Sequence, residues 1–210
     1  MFEKIISAFS APQNRQKDLV EAIKDKRYND ILDIIHTKFD PEYINEDGDT
    51  ICHFLALNGD CKAFELFAQL GIDINKKNEL GCSALHYACI ANNIEMVNCL
   101  LNNNAHIDSR DNNNNTPLHY CALKNNTDCM SVLISYKADI DAVNIEQKTP
   151  LHEAVILEHK ESIIQLINLG CNVNIMDIYG NMPINYTIIE DNKELYNLLF
   201  SKGGYLPVKH

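Results

Sequence analysis

Four histidines recur at a constant interval: His53, His86, His119 and His152 are evenly spaced along the chain. Imidazole can bind a metal, shuttle a proton or activate a nucleophile, and eight cysteines add further ligands and nucleophiles. Neither set is arranged for that work. The cysteines contain no C-x-x-C pair, and the chain has no Gly-rich phosphate loop, no G-x-S-x-G and no H-E-x-x-H. One histidine per fixed interval instead suggests one histidine per structural unit, so the elements around each must be found first.

Each histidine closes a related phrase: Thr50-Ile51-Cys52-His53, Ser83-Ala84-Leu85-His86, Thr116-Pro117-Leu118-His119 and Thr149-Pro150-Leu151-His152. Met182-Pro183-Ile184-Asn185 ends the series in degenerate form. Apolar columns keep the same period: Phe67, Leu100, Leu133, Leu166 and Leu199; beside them Ala68, Leu101, Ile134, Ile167 and Phe200; then Ile74, Ile107, Ile140, Val173 and Leu206. Turn residues recur as Gly48, Gly81, Asn114, Gln147 and Gly180, and as Gly71, Asn104, Lys137, Gly170 and Gly203. The chain is therefore a tandem repeat. The run Asn112–Asn115, which in isolation suggests low complexity, sits in register with these turns. Asn114 can take the left-handed conformation that Gly supplies elsewhere. Thr116 is placed as a helix N-cap, with Pro117 at the first helical position.

T-P-L-H-x-A recurring at this spacing resembles the ankyrin repeat, a unit of about 33 residues. The resemblance implies an all-α ankyrin-repeat solenoid of stacked helix-turn-helix units with short β-turn or hairpin tips. It places an N-terminal cap at 12–44, repeats at 45–77, 78–110, 111–143 and 144–176, and a C-terminal cap repeat at 177–210. Residues 1–11 precede this domain as an amphipathic segment, with Phe2, Ile5, Ile6 and Phe9 on one helical face. The resemblance also implies a structural role for the histidines, bonded around the Thr hydroxyl and nearby backbone. Stacked units would set them about 10 Å apart, too far to share one metal ion. We therefore expect no catalytic, metal or cofactor site. Cys52, Cys89 and Cys121 are expected as core fillers and Cys82, at a turn tip, as the exposed thiol.

Composition narrows the function classes. A net charge of −11 and a pI near 5.1 repel phosphate backbones, which argues against a nucleic-acid partner. No apolar run approaches a membrane span, and "MFEKIISAFSAP" makes a poor secretory signal. Scattered free thiols fit a reducing cytoplasm. Polar caps at both ends would favour a monomer.

Proteins resembling this family bind other proteins on a concave side made of turn tips and first-helix faces. That implies a partner surface of Glu46, Asp47, Asp49, Phe54, Leu80, Tyr87, Asn112, Asn113, Asn115, Tyr120, Ile145, Lys148, Ile156, Ile178, Tyr179 and Tyr186. Phe54, Tyr87, Tyr120 and Tyr186 form an aromatic column broken by Glu153, and Leu57, Ile90, Leu123, Ile156 and Ile189 form an aliphatic one. The expected function is non-catalytic protein binding, as inhibitor, scaffold or adaptor. The alternative is a translocated effector of an intracellular microbe acting in the host cytosol, suggested by Asn- and Ile-rich usage.

Overall fold

A computed structural model describes residues 14–38 and 45–206; the amphipathic segment 1–11 lies outside them. The described residues form twelve helices and no strand. They contribute two compact units, Met1–His106 and Ile107–His210. The division falls inside the 78–110 repeat, close to its end.

The first unit holds three helical hairpins: α1 (Asn14–Lys24) with α2 (Tyr28–Lys38), α3 (Ile51–Asn58) with α4 (Cys61–Ala68), and α5 (Ala84–Ile90) with α6 (Ile94–Asn102). Helix α3 packs on α5, α2 on α4, and α4 on α6. The second unit repeats the plan with α7 (Pro117–Lys124), α8 (Thr127–Ser135), α9 (Pro150–Ile156), α10 (Lys160–Asn168), α11 (Pro183–Ile189) and α12 (Lys193–Ser201). There α9 packs between α7 and α11, and α8 on α10. Every member of the Phe67–Leu199 column is fully buried. Each such side chain contributes about 1.5–3 kcal/mol of burial, which helices of seven to eleven residues need because they are marginal alone.

Turns recur as faithfully as the core. Gly48, Gly81, Asn114, Gln147 and Gly180 all have positive φ, between 56° and 77°, and Gly71, Asn104, Lys137, Gly170 and Gly203 have positive φ between 64° and 92°. Gly48 is further constrained, because a Cβ there would lie 2.9 Å from the backbone nitrogen of Glu79 on the next turn. A third left-handed column joins the two helices of each hairpin: Lys26, Gly59 and Asn92 in the first unit, Asn125, Glu158 and Asp191 in the second. Its mixed residue types hid it from the sequence pattern. Lys26 is in register with the rest, which puts α1 and α2 on the same plan as the later hairpins.

The C-terminal hairpin departs from the polar cap expected of it. Ile188, Ile189, Phe200 and Leu206 are exposed, whereas Leu123 and Ile156, the counterparts of Ile189 in the second unit's other hairpins, and Ile134 and Ile167, those of Phe200, are half-buried. No later hairpin among the described residues covers them.

Gln147 is exposed and holds φ at 56°, a conformation that costs a side-chain-bearing residue about 1 kcal/mol. Gln147→Gly should therefore raise stability by up to about 1 kcal/mol, read from the urea midpoint. A fall in midpoint would mean that the side chain contributes contacts of its own.

Candidate functional site

Each first helix that carries a histidine starts in the dry interior, with its N-cap residue buried, where its N-terminal N–H groups have no water to bond. The histidines meet that need. The N-cap N–H donates to the Nδ1 of the histidine three residues on: Thr50 to His53 at 3.0 Å, Ser83 to His86 at 3.0 Å, Thr116 to His119 at 3.2 Å and Thr149 to His152 at 3.0 Å. With its lone pair so engaged, Nδ1 carries no proton, and the N–H sits on Nε2. That N–H donates across to the next turn: His53 to the Cys82 carbonyl at 2.9 Å, His119 to Lys148 at 3.0 Å and His152 to Asn181 at 3.2 Å. All four rings are fully buried. Asn185 keeps half of the device, with Oδ1 accepting the Met182 N–H at 2.8 Å.

A column that sequence reasoning passed over builds the turn tips. Asn45, Asn78, Asp111, Asn144 and Asp177 recur at the interval of the histidines, and all are buried. The Oδ1 of each accepts two backbone N–H groups, two and four residues on: Asp47 and Asp49, Leu80 and Cys82, Asn113 and Asn115, Glu146 and Lys148, Tyr179 and Asn181. Such Asx bonds fix a turn locally. Neighbouring tips then bond one another through the backbone. Glu79 donates to the Asp47 carbonyl at 3.1 Å in the first unit; Ile145 donates to Asn113 at 2.9 Å and Ile178 to Glu146 at 3.0 Å in the second. The signal for this column was present, since Asn or Asp keeps the period there without a gap.

The aromatic column on the first helices braces these tips rather than forming an open groove. Tyr120 donates to Asp111 Oδ2 at 2.8 Å and Tyr186 to Asp177 Oδ2. At the corresponding place Glu153 accepts from Asn144 Nδ2 at 3.0 Å. The apparent break is a polarity reversal: a tyrosine donor faces Asp111 and Asp177, and a carboxylate faces Asn144. Tyr87 donates to Asp49 Oδ1 at 3.0 Å and accepts from Asn78 Nδ2 at 2.9 Å. Burial, and then the partner aspartates, hold the Tyr87 and Tyr186 hydroxyls protonated well above the ordinary phenol range. Burial likewise raises the Glu153 carboxyl, with Lys148 and Asn144 pulling it back. Burial works against the Lys148 ammonium, but Glu146, Glu153 and Asp177 outweigh it and lift its pKa. Lys148 Nζ also lies 5.9 Å from the centre of the Tyr186 ring.

The expected partner surface divides accordingly. Asp49 is 0% exposed, and Phe54 and Tyr87 are also buried, so these three leave the surface and serve the fold. Cys82 is 3% exposed, which overturns its expected role as the accessible thiol. For Asp49 and Cys82 the cause is the same. The last tip residue turns back beneath its own loop, where Cys82 donates its N–H to Asn78 and gives its carbonyl to His53. Exposed on the first unit are Glu46, Asp47 and Leu80; on the second Asn112, Asn113, Ile145, Ile178 and Tyr179. Asn115, Tyr120, Lys148, Ile156 and Tyr186 are half-buried on the second unit.

Among the described residues, no group of three or more His, Cys, Asp or Glu side chains is placed to hold a metal ion, and no helix is long and apolar enough to cross a membrane. The family model described as ankyrin repeats (3 copies) matches residues 19–111, 52–144 and 91–177, most of the chain, and the protein belongs to the ankyrin-repeat family. No curated protein matches it. Ankyrin repeats are generally protein-protein interaction modules and are typically non-catalytic.

Burial holds the His53 and His152 pKa values below the ordinary 6.5, against the opposing pull of the Cys82 and Asn181 carbonyls. Their contribution to stability is complete above the unfolded pKa of about 6.5 and is lost as pH falls from there towards the folded values. Stability should thus decline as pH falls below about 6.5, with a shallower slope in His152→Asn. At pH 7.5 His152→Ala should cost about 1–3 kcal/mol, and His152→Asn less, because Asn can still accept the N-cap N–H. Urea denaturation across this pH range checks both; equal losses for Ala and Asn would contradict the capping role.

Proposed function

We propose that this chain is a non-catalytic binding module that holds a partner protein against the side carrying its turn tips and first helices, the concave side in ankyrin-repeat proteins. It would act as an inhibitor, scaffold or adaptor. One observation carries the proposal: large apolar side chains stand exposed on turns whose backbones are pinned. Leu80 is 56% exposed, Ile145 61%, Ile178 49% and Tyr179 66%. Each follows a buried Asx residue, and Ile145 and Ile178 also bond the preceding tip. Apolar groups held out on a rigid backbone lose little entropy on binding, which favours contact with another protein over solvent.

The tips differ in character between the units. Glu46 and Asp47 are exposed on the first, while Asn112 and Asn113, then Ile145, Ile178 and Tyr179, line the second. A fitting partner presents a basic element to Glu46 and Asp47 and an apolar element to Ile178 and Tyr179. The translocated-effector alternative would use the same surface and draws only on amino-acid usage.

Tyr179→Ala should speed dissociation of the partner at least about five-fold, as expected for an exposed aromatic anchor, with no change in thermal midpoint. Reversing Glu46 and Asp47 to Lys should instead slow association and flatten its salt dependence. Affinity capture with the wild type identifies the partner, and binding kinetics with both variants then check the assignment. Wild-type kinetics in both variants would refute it.

A further inference from the structure

Two of the eight cysteines touch one another, and neither takes part in the capping ladder or the tip surface. Cys61 occupies the first turn of α4 and is half-buried; Cys99 lies within α6 and is buried. The two helices pack together inside the first unit, and the thiols share a hydrogen bond. The separation of the two positions is no multiple of the repeat period, so the repeat does not generate the contact. One period on from Cys61 stands Ile94, and one period back from Cys99 stands Leu66. The pair is peculiar to this junction between hairpins.

We propose that Cys61 and Cys99 form a two-thiol oxidation site, at which a hydroperoxide converts the pair into an intramolecular disulfide that ties α4 to α6. Cys61 is the more accessible and reacts first. Its thiolate attacks one peroxide oxygen, the O–O bond breaks, and Cys61 becomes a sulfenic acid while the departing hydroxide takes a proton to become water. Cys99, as thiolate, then attacks Cys61 Sγ. The S–S bond forms, the S–O bond breaks, and the second hydroxide leaves as water with the Cys99 proton. The thiols together lose two electrons, and these reduce one hydrogen peroxide to two waters.

The surroundings decide how the pair responds. Burial raises the Cys61 thiol pKa, and Asp60 and Glu65 on its own side and Glu95 on α6 add to the effect. Tyr28 on α2 hydrogen-bonds Asp60, and Lys62 Nζ lies 4.0 Å from the Tyr28 ring centre, turned to that ring. Burial, then Cys61 and Glu65, push Cys99 up to about 12. Both thiols are therefore protonated at neutral pH, and the pair stays reduced until oxidant is abundant or pH rises. The same carboxylates disfavour approach of anionic glutathione disulfide and leave uncharged peroxide the better oxidant. Once closed, the disulfide restricts the unfolded chain and strengthens the junction.

The test uses the reduced full-length chain treated with hydrogen peroxide, or with glutathione disulfide, at about pH 7 and pH 8. Remaining thiols are alkylated and the cross-links mapped by mass spectrometry. A peptide pair joining Cys61 to Cys99 should be the main product, forming about ten-fold faster for the one-unit rise in pH and faster with peroxide. Cys99→Ser should leave Cys61 as a sulfenic acid trapped by dimedone. Oxidation should raise the thermal midpoint of the wild type, reversibly with dithiothreitol, and leave that of Cys61→Ser unchanged; Ser suits a first helical turn, so this variant keeps the fold. Cross-links that bypass Cys61 and Cys99, or that join these residues only between molecules, would overturn the proposal.

Discussion

Every first helix that carries a histidine begins where water cannot reach, and its leading N–H groups must find acceptors inside the protein. A buried unbonded N–H costs about as much as a substantial core truncation, so four such helix starts left bare would consume most of a typical domain's stability. The histidine ring solves the problem in two directions. Nδ1 closes its own helix, while Nε2–H reaches the carbonyl at the base of the next turn. Helix start and turn spacing therefore become one constraint. The core columns and the Asx tips can keep a single period because this link does.

The same economy of groups commits side chains whose chemistry would otherwise suit catalysis. An imidazole with both nitrogens committed has no lone pair free for a metal and no proton to exchange. The phenols of Tyr87 and Tyr186, with pKa values raised by burial and by their aspartates, are fixed as donors. Their hydrogen bonds stiffen the tips from beneath. That rigidity lets Ile145, Ile178 and Tyr179 stand in solvent without collapsing onto the body of their unit.

Acidity pervades the chain but acts locally. At the tips of the first unit it leaves Glu46 and Asp47 exposed. Around Cys61 the same kind of charge adds to burial in keeping a thiol protonated beside a second thiol. In the second unit it draws Lys148 in among Glu146, Glu153 and Asp177, so that a cation expected at the surface is half-buried instead.

The sequence by itself determined the period, the helix starts, the apolar columns and the left-handed turns at Asn114 and Gln147. Each of these is a local preference, or a pattern along one dimension, that the chain must satisfy wherever it lies. The Asx column was equally legible, although its role emerged only with the hydrogen bonds. Only the tertiary structure decided which tip residues face solvent: Asp49 and Cys82 share the tips with Asp47 and Leu80, yet the first two are buried and the second two exposed. Burial depends on what the neighbouring hairpin lays over a residue, and donor must meet acceptor across that junction. The contact between Cys61 and Cys99 belongs to the same class, since it joins positions no multiple of the period relates, and only packing of one helix against another brings them together.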